Sequence, residues 1–212
     1  MSRFVLVRHG QTEWNRVERF RGRVDIALNE TGIRQAQAAG EILASTPVKA
    51  VFSSPLARAF RMADIIAARL GLRVEVLEGL VDFNYGDWQG MSPEEVAAKY
   101  PDLHRQWLES PDKVRIPGGE SLDDARDRAM GAVADLAARF PDETVLLVSH
   151  KIVCKVILLA VLGLDNSRLW QVEQDNAAIN IFECSEAGAF TLLLLNDTCH
   201  LEPRLQRCLI GP

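Results

Sequence analysis

Two of the chain's four histidines, His9 and His150, stand directly behind short apolar runs, Phe4–Val7 and Thr144–Val148. Arg8 adjoins the first and Ser149 the second. A third apolar run, Val48–Phe52, leads through Ser53-Ser54-Pro55 into a helical stretch whose first turn carries Arg58. A neutral imidazole is a competent nucleophile near neutral pH. Guanidinium forks match the oxygens of phosphate. Gathered around one small volume, two histidines and two arginines repel one another when the volume is empty. A dianionic phosphate relieves that repulsion. The residue types therefore point to binding of a phosphate group. One histidine alone reads as readily as a structural residue; three equivalent placements carry the argument.

Other phosphate chemistries lack their residues. There is no G-x-x-x-x-G-K-[ST] loop. No cysteine is followed six residues later by arginine, and no apolar run ends in D-x-D. The histidines share no helix face and do not lie close along the chain, so a metal site is not expected.

The elements that must position these residues follow from periodicity. Phe4–Val7, Val48–Phe52, Arg73–Leu77 and Thr144–Val148 read as buried strands. Ile33–Ala44, Leu56–Leu70, Ser121–Phe140 and Ile152–Leu162 read as helices, closed by Gly71, Pro141 and Gly163 where those residues follow. Ser92-Pro93-Glu94-Glu95 is a helix start, with a capping serine and a proline in the first turn. Ala178–Cys184 and Phe190–Leu195 read as two late strands joined at Glu186-Ala187-Gly188. Alternating strands and helices predict an α/β three-layer sandwich around a mostly parallel sheet, with the late pair as an antiparallel edge. In such a sheet, ligands bind beyond the carboxyl ends of the strands, where His9, Arg58 and His150 fall. Helix N-termini after Ser54 and His150 add backbone N–H groups there. The stretch 80–120, rich in Pro, Gly, Trp and acidic residues, reads as an insertion over one end of the sheet within a single domain, 1–212.

Composition agrees. The chain has 212 residues, 48% of them hydrophobic and 25% charged, and a net charge of −5. That suits one large globular domain and argues against a nucleic-acid surface. Locally the N-terminal stretch is basic: Arg3, Arg8, Arg16, Arg19, Arg21 and Arg23 face only Glu13 and Glu18. A small anionic ligand accounts for such a patch, as does a solvated basic face. Cys154, Cys184, Cys199 and Cys208 form no C-x-x-C pair and read as free thiols. No signal peptide and no membrane span are expected, which points to the cytoplasm. An edge strand near Ala178–Cys184 offers a surface for homodimer pairing.

The segment Leu6-Val7-Arg8-His9-Gly10-Gln11-Thr12-Glu13-Trp14-Asn15 resembles the R-H-G-x-T-x-x-N signature of the histidine phosphatase superfamily, the phosphoglycerate mutase-like family. The resemblance continues through Gly22-x-x-Asp25-x-x-Leu28-Asn29-x-x-Gly32-x-x-Gln35-Ala36 and Ser53-Ser54-Pro55-Leu56-Ala57-Arg58-Ala59. It goes on through Leu80-Val81-Asp82 with Gly86-Asp87-Trp88-Gln89-Gly90, then Pro117-Gly118-Gly119-Glu120-Ser121 and Val148-Ser149-His150. These segments keep the family order and span most of the chain. The resemblance implies that His9 attacks phosphorus and becomes a phosphohistidine. It implies that Arg8, Arg58 and His150 clamp the phosphoryl oxygens, with Asn15 in support. Asp82 stands where the family acid is usually glutamate. As acid it needs a pKa raised by burial or nearby charge; Asp87 is the reserve. Arg21 stands where relatives often carry glutamine, and is either a ligand for a substrate carboxylate or phosphate, or a surface residue. Gly22 falls among the substrate-binding positions; Tyr85, Trp88 and His200 are either on the substrate side of the pocket or plain packing residues.

The basic, proline-rich insertion of the cofactor-dependent mutases has no counterpart between Leu80 and Gly119. That favours hydrolysis of small phosphate esters by a histidine acid-type phosphatase, without metal or cofactor. The run Gln174-Asp175-Asn176-Ala177-Ala178, with Leu195-Asn196-Asp197-Thr198-Cys199-His200-Leu201, is similar to metal-independent phosphoserine phosphatases and implies L-phosphoserine as substrate. The alternatives are a phosphoglycerate mutase or other phosphotransferase, an α-ribazole phosphate phosphatase, and a phosphate-binding module without turnover.

Overall fold

Phe4 and Leu6 point to one side of the first strand and Val5 and Val7 to the other, yet all four are completely buried. A strand covered on both faces needs a continuous apolar run rather than alternation, and Phe4–Val7 supplies one. The structure, a computed structural model, describes residues 1–201. Its strands are β1 (Ser2–Arg8), β2 (Val48–Ser53), β3 (Val74–Val76), β4 (Thr144–Ser149), β5 (Ile179–Cys184) and β6 (Phe190–Asp197). They form one sheet in the order β3-β2-β4-β1-β5-β6. The first four run parallel, and β5 and β6 run antiparallel to their neighbours.

Helices cover both faces, which makes three layers. The helices are α1 (Glu13–Arg16), α2 (Glu30–Leu43), α3 (Ala57–Leu70), α4 (Pro93–Lys99), α5 (Pro101–Glu109), α6 (Leu122–Arg139) and α7 (Lys151–Val161). Ala36, Ala39, Met62, Ala63 and Ile66 of α2 and α3 pack on Val5, Val7, Val51 and Val148. On the other face, α6 and α7 pack on Phe4, Leu6, Phe52 and Leu147. Burial of each such side chain contributes on the order of 1.5–3 kcal/mol. The helix ends follow local chemistry. Asn29 accepts from Gly32 N–H and starts α2 three residues ahead of the apolar pattern. Ser92 and Ser121 close capping boxes with Glu95 and Asp124. Gly71, at φ +68°, ends α3 in the left-handed conformation that glycine adopts without strain.

The stretch after β3 is mostly short helix and loop, as composition suggested. Its Leu80, Phe83, Trp88, Val96, Trp107, Val114 and Ile116 join the same apolar cluster as the α6–α7 face of the sheet. Two expectations change. Ala178–Cys184 is no edge: β5 lies between β1 and β6, because its backbone groups are taken up by both neighbours. The exposed edges are β3 and β6. The strand foreseen at Arg73–Leu77 shortens to three residues. Cys154 and Cys184 are free thiols, and Cys208 lies outside the described residues. No helix among them is long and apolar enough to cross a membrane.

Candidate active site

Register puts three strand ends at one level. Arg8 pairs with Ser149 across β1 and β4, and Ser53 pairs with Val148 across β2 and β4. His9 N–H donates to Ser149 O at 2.9 Å and Ser54 N–H to Val148 O at 3.1 Å, so the first residues beyond the strands stay locked together. The His9 and His150 rings lie 5.2 Å apart, both completely buried.

His9 is aimed by its own loop. Its Nδ1 lies 2.6 Å from Gly10 O. A carbonyl only accepts, so Nδ1 carries the proton and Nε2 keeps its lone pair. That Nε2 is buried and has no hydrogen-bond partner among the described residues. The loop is held tightly behind it. A Cβ on Gly32 would lie 2.2 Å from Gln11 O, so only glycine lets the start of α2 press against the His9 loop. Burial, then the charges of Arg58, Arg8 and Arg21, hold the His9 pKa well below the ordinary 6.5.

Arg58 organises the opposite wall. Its Nη2 donates to Asp82 Oδ2 at 2.8 Å and to Gly22 O at 2.7 Å, and its Nη1 donates to Val24 O at 2.9 Å. Gly22 offers that carbonyl from φ +53°, beside a Gln89 side chain that leaves no room for a Cβ. Arg58 Nε donates to His150 Nδ1 at 3.2 Å, and His150 Nε2 lies 2.7 Å from Ser54 Oγ. His150 is therefore neutral with its proton on Nε2. Burial pushes its pKa down to about 3, against the pull of Asp82.

Asp82 completes this wall. Its Oδ1 accepts from Phe83 N–H at 2.8 Å, and its Oδ2 also lies 3.4 Å from His150 Nδ1. Burial acts to raise its pKa. The Arg58 and Arg21 charges and the Arg58 hydrogen bond act against burial and hold the carboxyl below the usual aspartate range. The shift in the ligand-free site runs opposite to the one an acid role needs. The Asp82 loop is braced from behind. Arg128 donates to Gly79 O at 2.8 Å and Asp82 O at 3.3 Å, while Glu120 receives Arg128 and Asn84 N–H. The Pro117–Ser121 motif earns its place here: Glu120 steadies the Asp82 loop and Ser121 caps α6.

Beyond this cluster opens a cavity of about 340 Å³. Arg8, Asn15, Arg21, Gly22, Asp82 and Tyr85 of the expected set line it. Arg8 Nη1 donates to Gln174 O at 2.6 Å, and burial and Arg21 lower its pKa to about 10, still a full cation at neutral pH. Asn15 Oδ1 accepts from Thr12 N–H at 2.9 Å and Thr12 Oγ at 3.0 Å, so it shapes the loop while facing the cavity. Tyr85 is held as the neutral phenol, its pKa raised by burial and by Asp82.

Three expected residues fall elsewhere. Trp88 is completely buried against Phe20, Tyr100 and Trp107 and belongs to the core. Asp87 is exposed, and its carboxylate meets Tyr100 Oη at 3.3 Å outside the cavity wall. His200 touches the Ala177 backbone and does not line the cavity. Others went unforeseen as wall residues: Glu18, Arg19, Phe20, Pro93, Lys151 and Asn176. Asn176 Nδ2 reaches His9 O and Asn15 Oδ1, each at 3.3 Å. Ala177, at φ +59°, donates its N–H to His9 O at 3.2 Å. The Gln174–Ala178 run thus clamps Arg8 and His9 from the far side, which its position just before β5 signals. Among the described residues, no three His, Cys, Asp or Glu side chains are arranged to hold a metal ion.

Comparison with known proteins agrees with the fold. Residues 4–198 match the family model of the histidine phosphatase superfamily (branch 1). Phosphoserine phosphatase 1 of Hydrogenobacter thermophilus is 37% identical over 201 residues, 95% of each chain. YhfR of Bacillus stearothermophilus superposes with a TM-score of 0.91 at 28% identity, over 95% of this chain and all of that one. A mycobacterial glucosyl-3-phosphoglycerate phosphatase in complex with VO3 superposes with a TM-score of 0.85 at 32% identity, over 92% of this chain and 99% of that one. This chain belongs to branch 1 of the histidine phosphatase superfamily, and its family activity is that of a phosphatase.

Proposed function

We propose that the protein hydrolyses small phosphate monoesters through a phosphohistidine on His9, without a metal, with L-phosphoserine among its substrates. The observation that carries this reading is the His9 ring. Nδ1 is bound to Gly10 O, and the unpartnered Nε2 stands among the cationic and N–H groups of Arg8, Arg58 and His150. The dianionic phosphoryl group enters among these groups and replaces part of the Asp82 charge. The Nε2 lone pair attacks phosphorus, and the bond from phosphorus to the leaving oxygen breaks. Charge spreads over the equatorial oxygens, where fixed donors stabilise it without reorganisation.

Asp82 serves as the proton donor. In the empty site its partners hold it ionised. A bound dianion adds negative charge beside it and engages Arg58 and His150, which raises its pKa. The protonated carboxyl then delivers its proton to the leaving alkoxide. As carboxylate, it next takes a proton from the water that attacks the phosphohistidine. Phosphate leaves, and His9 is regenerated. The relatives named above support phosphoserine and similar small esters as substrates.

Purified His9→Ala, assayed on p-nitrophenyl phosphate in the presence of EDTA, tests the reading. Wild type is expected to turn over and the variant to fall to background. Retained activity in His9→Ala, or loss of wild-type activity to EDTA, contradicts it. A screen across phosphoserine, 3-phosphoglycerate, α-ribazole phosphate and sugar phosphates then ranks the substrates.

A further inference from the structure

We infer that Lys151 and Arg21 form a second anion-binding subsite that selects among phosphate monoesters by taking the carboxylate on the alcohol of phosphoserine-like substrates. The inference rests on the phosphatase reading above and extends it from the phosphoryl group to the leaving group. Four cations line the cavity: Arg8, Arg19, Arg21 and Lys151. Arg8 belongs to the phosphoryl site. Arg19 is occupied by Gly90 O and by Glu95 at 3.2 Å. Arg21 is different. Its Nε is buried without a hydrogen-bond partner among the described residues. Among the described residues, Lys151 has one long ion pair, 4.0 Å from Glu173 Oε2.

Lys151 also stands in an unfavourable place. It is the first residue of α7, directly after the N-cap His150, and that first turn holds no acidic residue. The helix dipole presents its positive end there and disfavours a cation. Burial, Arg8 and Arg21 each lower the Lys151 pKa, which places its ammonium in the field of the same arginines. A cation at a helix N-terminus, sharing a small cavity with two guanidiniums, is electrostatically costly until an anion enters. In the reading above, Arg8, Arg58 and His150 take the transferring phosphoryl group. An ester with an uncharged alcohol leaves the charges of Arg21 and Lys151 without an anion.

The chemistry of the pair selects a carboxylate. The planar fork of Arg21 accepts two carboxylate oxygens, and Lys151 adds a point charge. The cavity, at about 340 Å³, sits near the lower end of ligand-sized pockets. It suits a compact ester with the two anions a few bonds apart. Glu18 and Asp82 in the same wall limit the excess positive charge, which disfavours a second dianionic phosphate.

The test compares esters that differ in the carboxylate: phosphoserine against phosphoethanolamine, and 3-phosphoglycerate against glycerol 3-phosphate. For each pair the readout is the ratio of kcat/KM values, in wild type, Lys151→Met, Lys151→Arg and Arg21→Gln. The wild-type ratio is expected to favour the carboxylated member by about tenfold or more, the worth of one charge-assisted contact. Lys151→Met and Arg21→Gln should each reduce the ratio by about tenfold, mainly through KM, and Lys151→Arg should restore most of it. Because Lys151 stands against the helix dipole, Lys151→Met should melt at the wild-type temperature or above it. Unchanged ratios in the variants, a wild type indifferent to the carboxylate, or a stronger preference for bisphosphates would each overturn the inference. A dead His9→Ala with unchanged ratios sinks the subsite alone. An active His9→Ala sinks the phosphatase mechanism beneath it.

Discussion

Arg58 Nη2 holds Asp82 Oδ2 at 2.8 Å, and both side chains are almost wholly buried. The pair has two consequences. The carboxylate offsets the charge of the empty phosphate site, and Arg58 must loosen its hold on Asp82 when the substrate arrives. The proposed proton donor is thus stored in its unreactive form and converted by the ligand.

Replacing Asp82 by Asn removes the proton but keeps the shape. Hydrolysis of alkyl phosphates, whose leaving oxygen needs a proton, should fall by about 100- to 10,000-fold. Hydrolysis of p-nitrophenyl phosphate, with its good leaving group, should fall far less. Steady-state kinetics on both substrates decide the matter, and equal losses would remove Asp82 from the role of acid. Asp87→Asn, on the exposed side of the loop, should leave both rates near wild type.

Arg58 binds two backbone carbonyls as well as Asp82, so its loss is both catalytic and structural. Arg58→Ala leaves a buried carboxylate without its partner, a defect that typically costs about 3–5 kcal/mol. Urea melts should show that loss, and turnover should drop at least about 100- to 1,000-fold. A variant as stable as wild type would show that the pair is not buried as described.

The pH profile of kcat/KM reports the free enzyme. His9 must be neutral to attack, and its pKa lies well below 6.5. The acid limb assigned to this group should therefore fall below the ordinary histidine range, once ionisation of the substrate phosphate is allowed for. Asp82 titrates in the opposite sense: low in the free enzyme, raised in the complex, where it sets a basic limb in kcat. An acid limb at the ordinary histidine value would mean that the site does not bury His9 as the structure shows.

The same burial has a price in acid. In the unfolded chain both histidines take up protons as pH drops through about 6.5, whereas folded His150 resists until about 3. Stability should therefore decline across that window, by up to about 1.4 kcal/mol per pH unit for each buried histidine. Chemical denaturation at pH 7 and pH 5 measures it. Inorganic phosphate should stabilise the fold at either pH, by about 2.7 kcal/mol at 100 times its Kd. Stability that is flat between those pH values, with no response to phosphate, would count against a buried cationic anion site.

Much of this was legible in the chain. Buried strands in a parallel sheet are continuous apolar runs, so β1, β2 and β4 stand out, and the residues at and just beyond their ends form the candidate site. Arg8, His9, Arg58 and His150 are legible in the sequence for that reason. The direction of the Asp82 shift is not. It depends on how Arg58, His150 and Arg21 surround one carboxylate, and no spacing rule encodes that balance. Lys151 was hidden by its neighbour: a lysine after His150 looks like the polar start of a helix until the cavity wall is seen. Trp88 and His200 were placed in the site by their motifs, yet Trp88 fills the core, and His200 packs on Ala177 behind the His9 loop. Whether a side chain faces the cavity or the core depends on tertiary packing, which local pattern does not carry.

The most direct test of the central claim is rapid acid quenching of the enzyme during turnover of 32P-labelled phosphoserine, followed by peptide mapping. The account predicts label on the peptide containing His9, stable in alkali, released on prolonged exposure to acid, and absent from His9→Ala. Label on any other residue, or sustained turnover with no labelled enzyme in a burst-phase experiment, would contradict it.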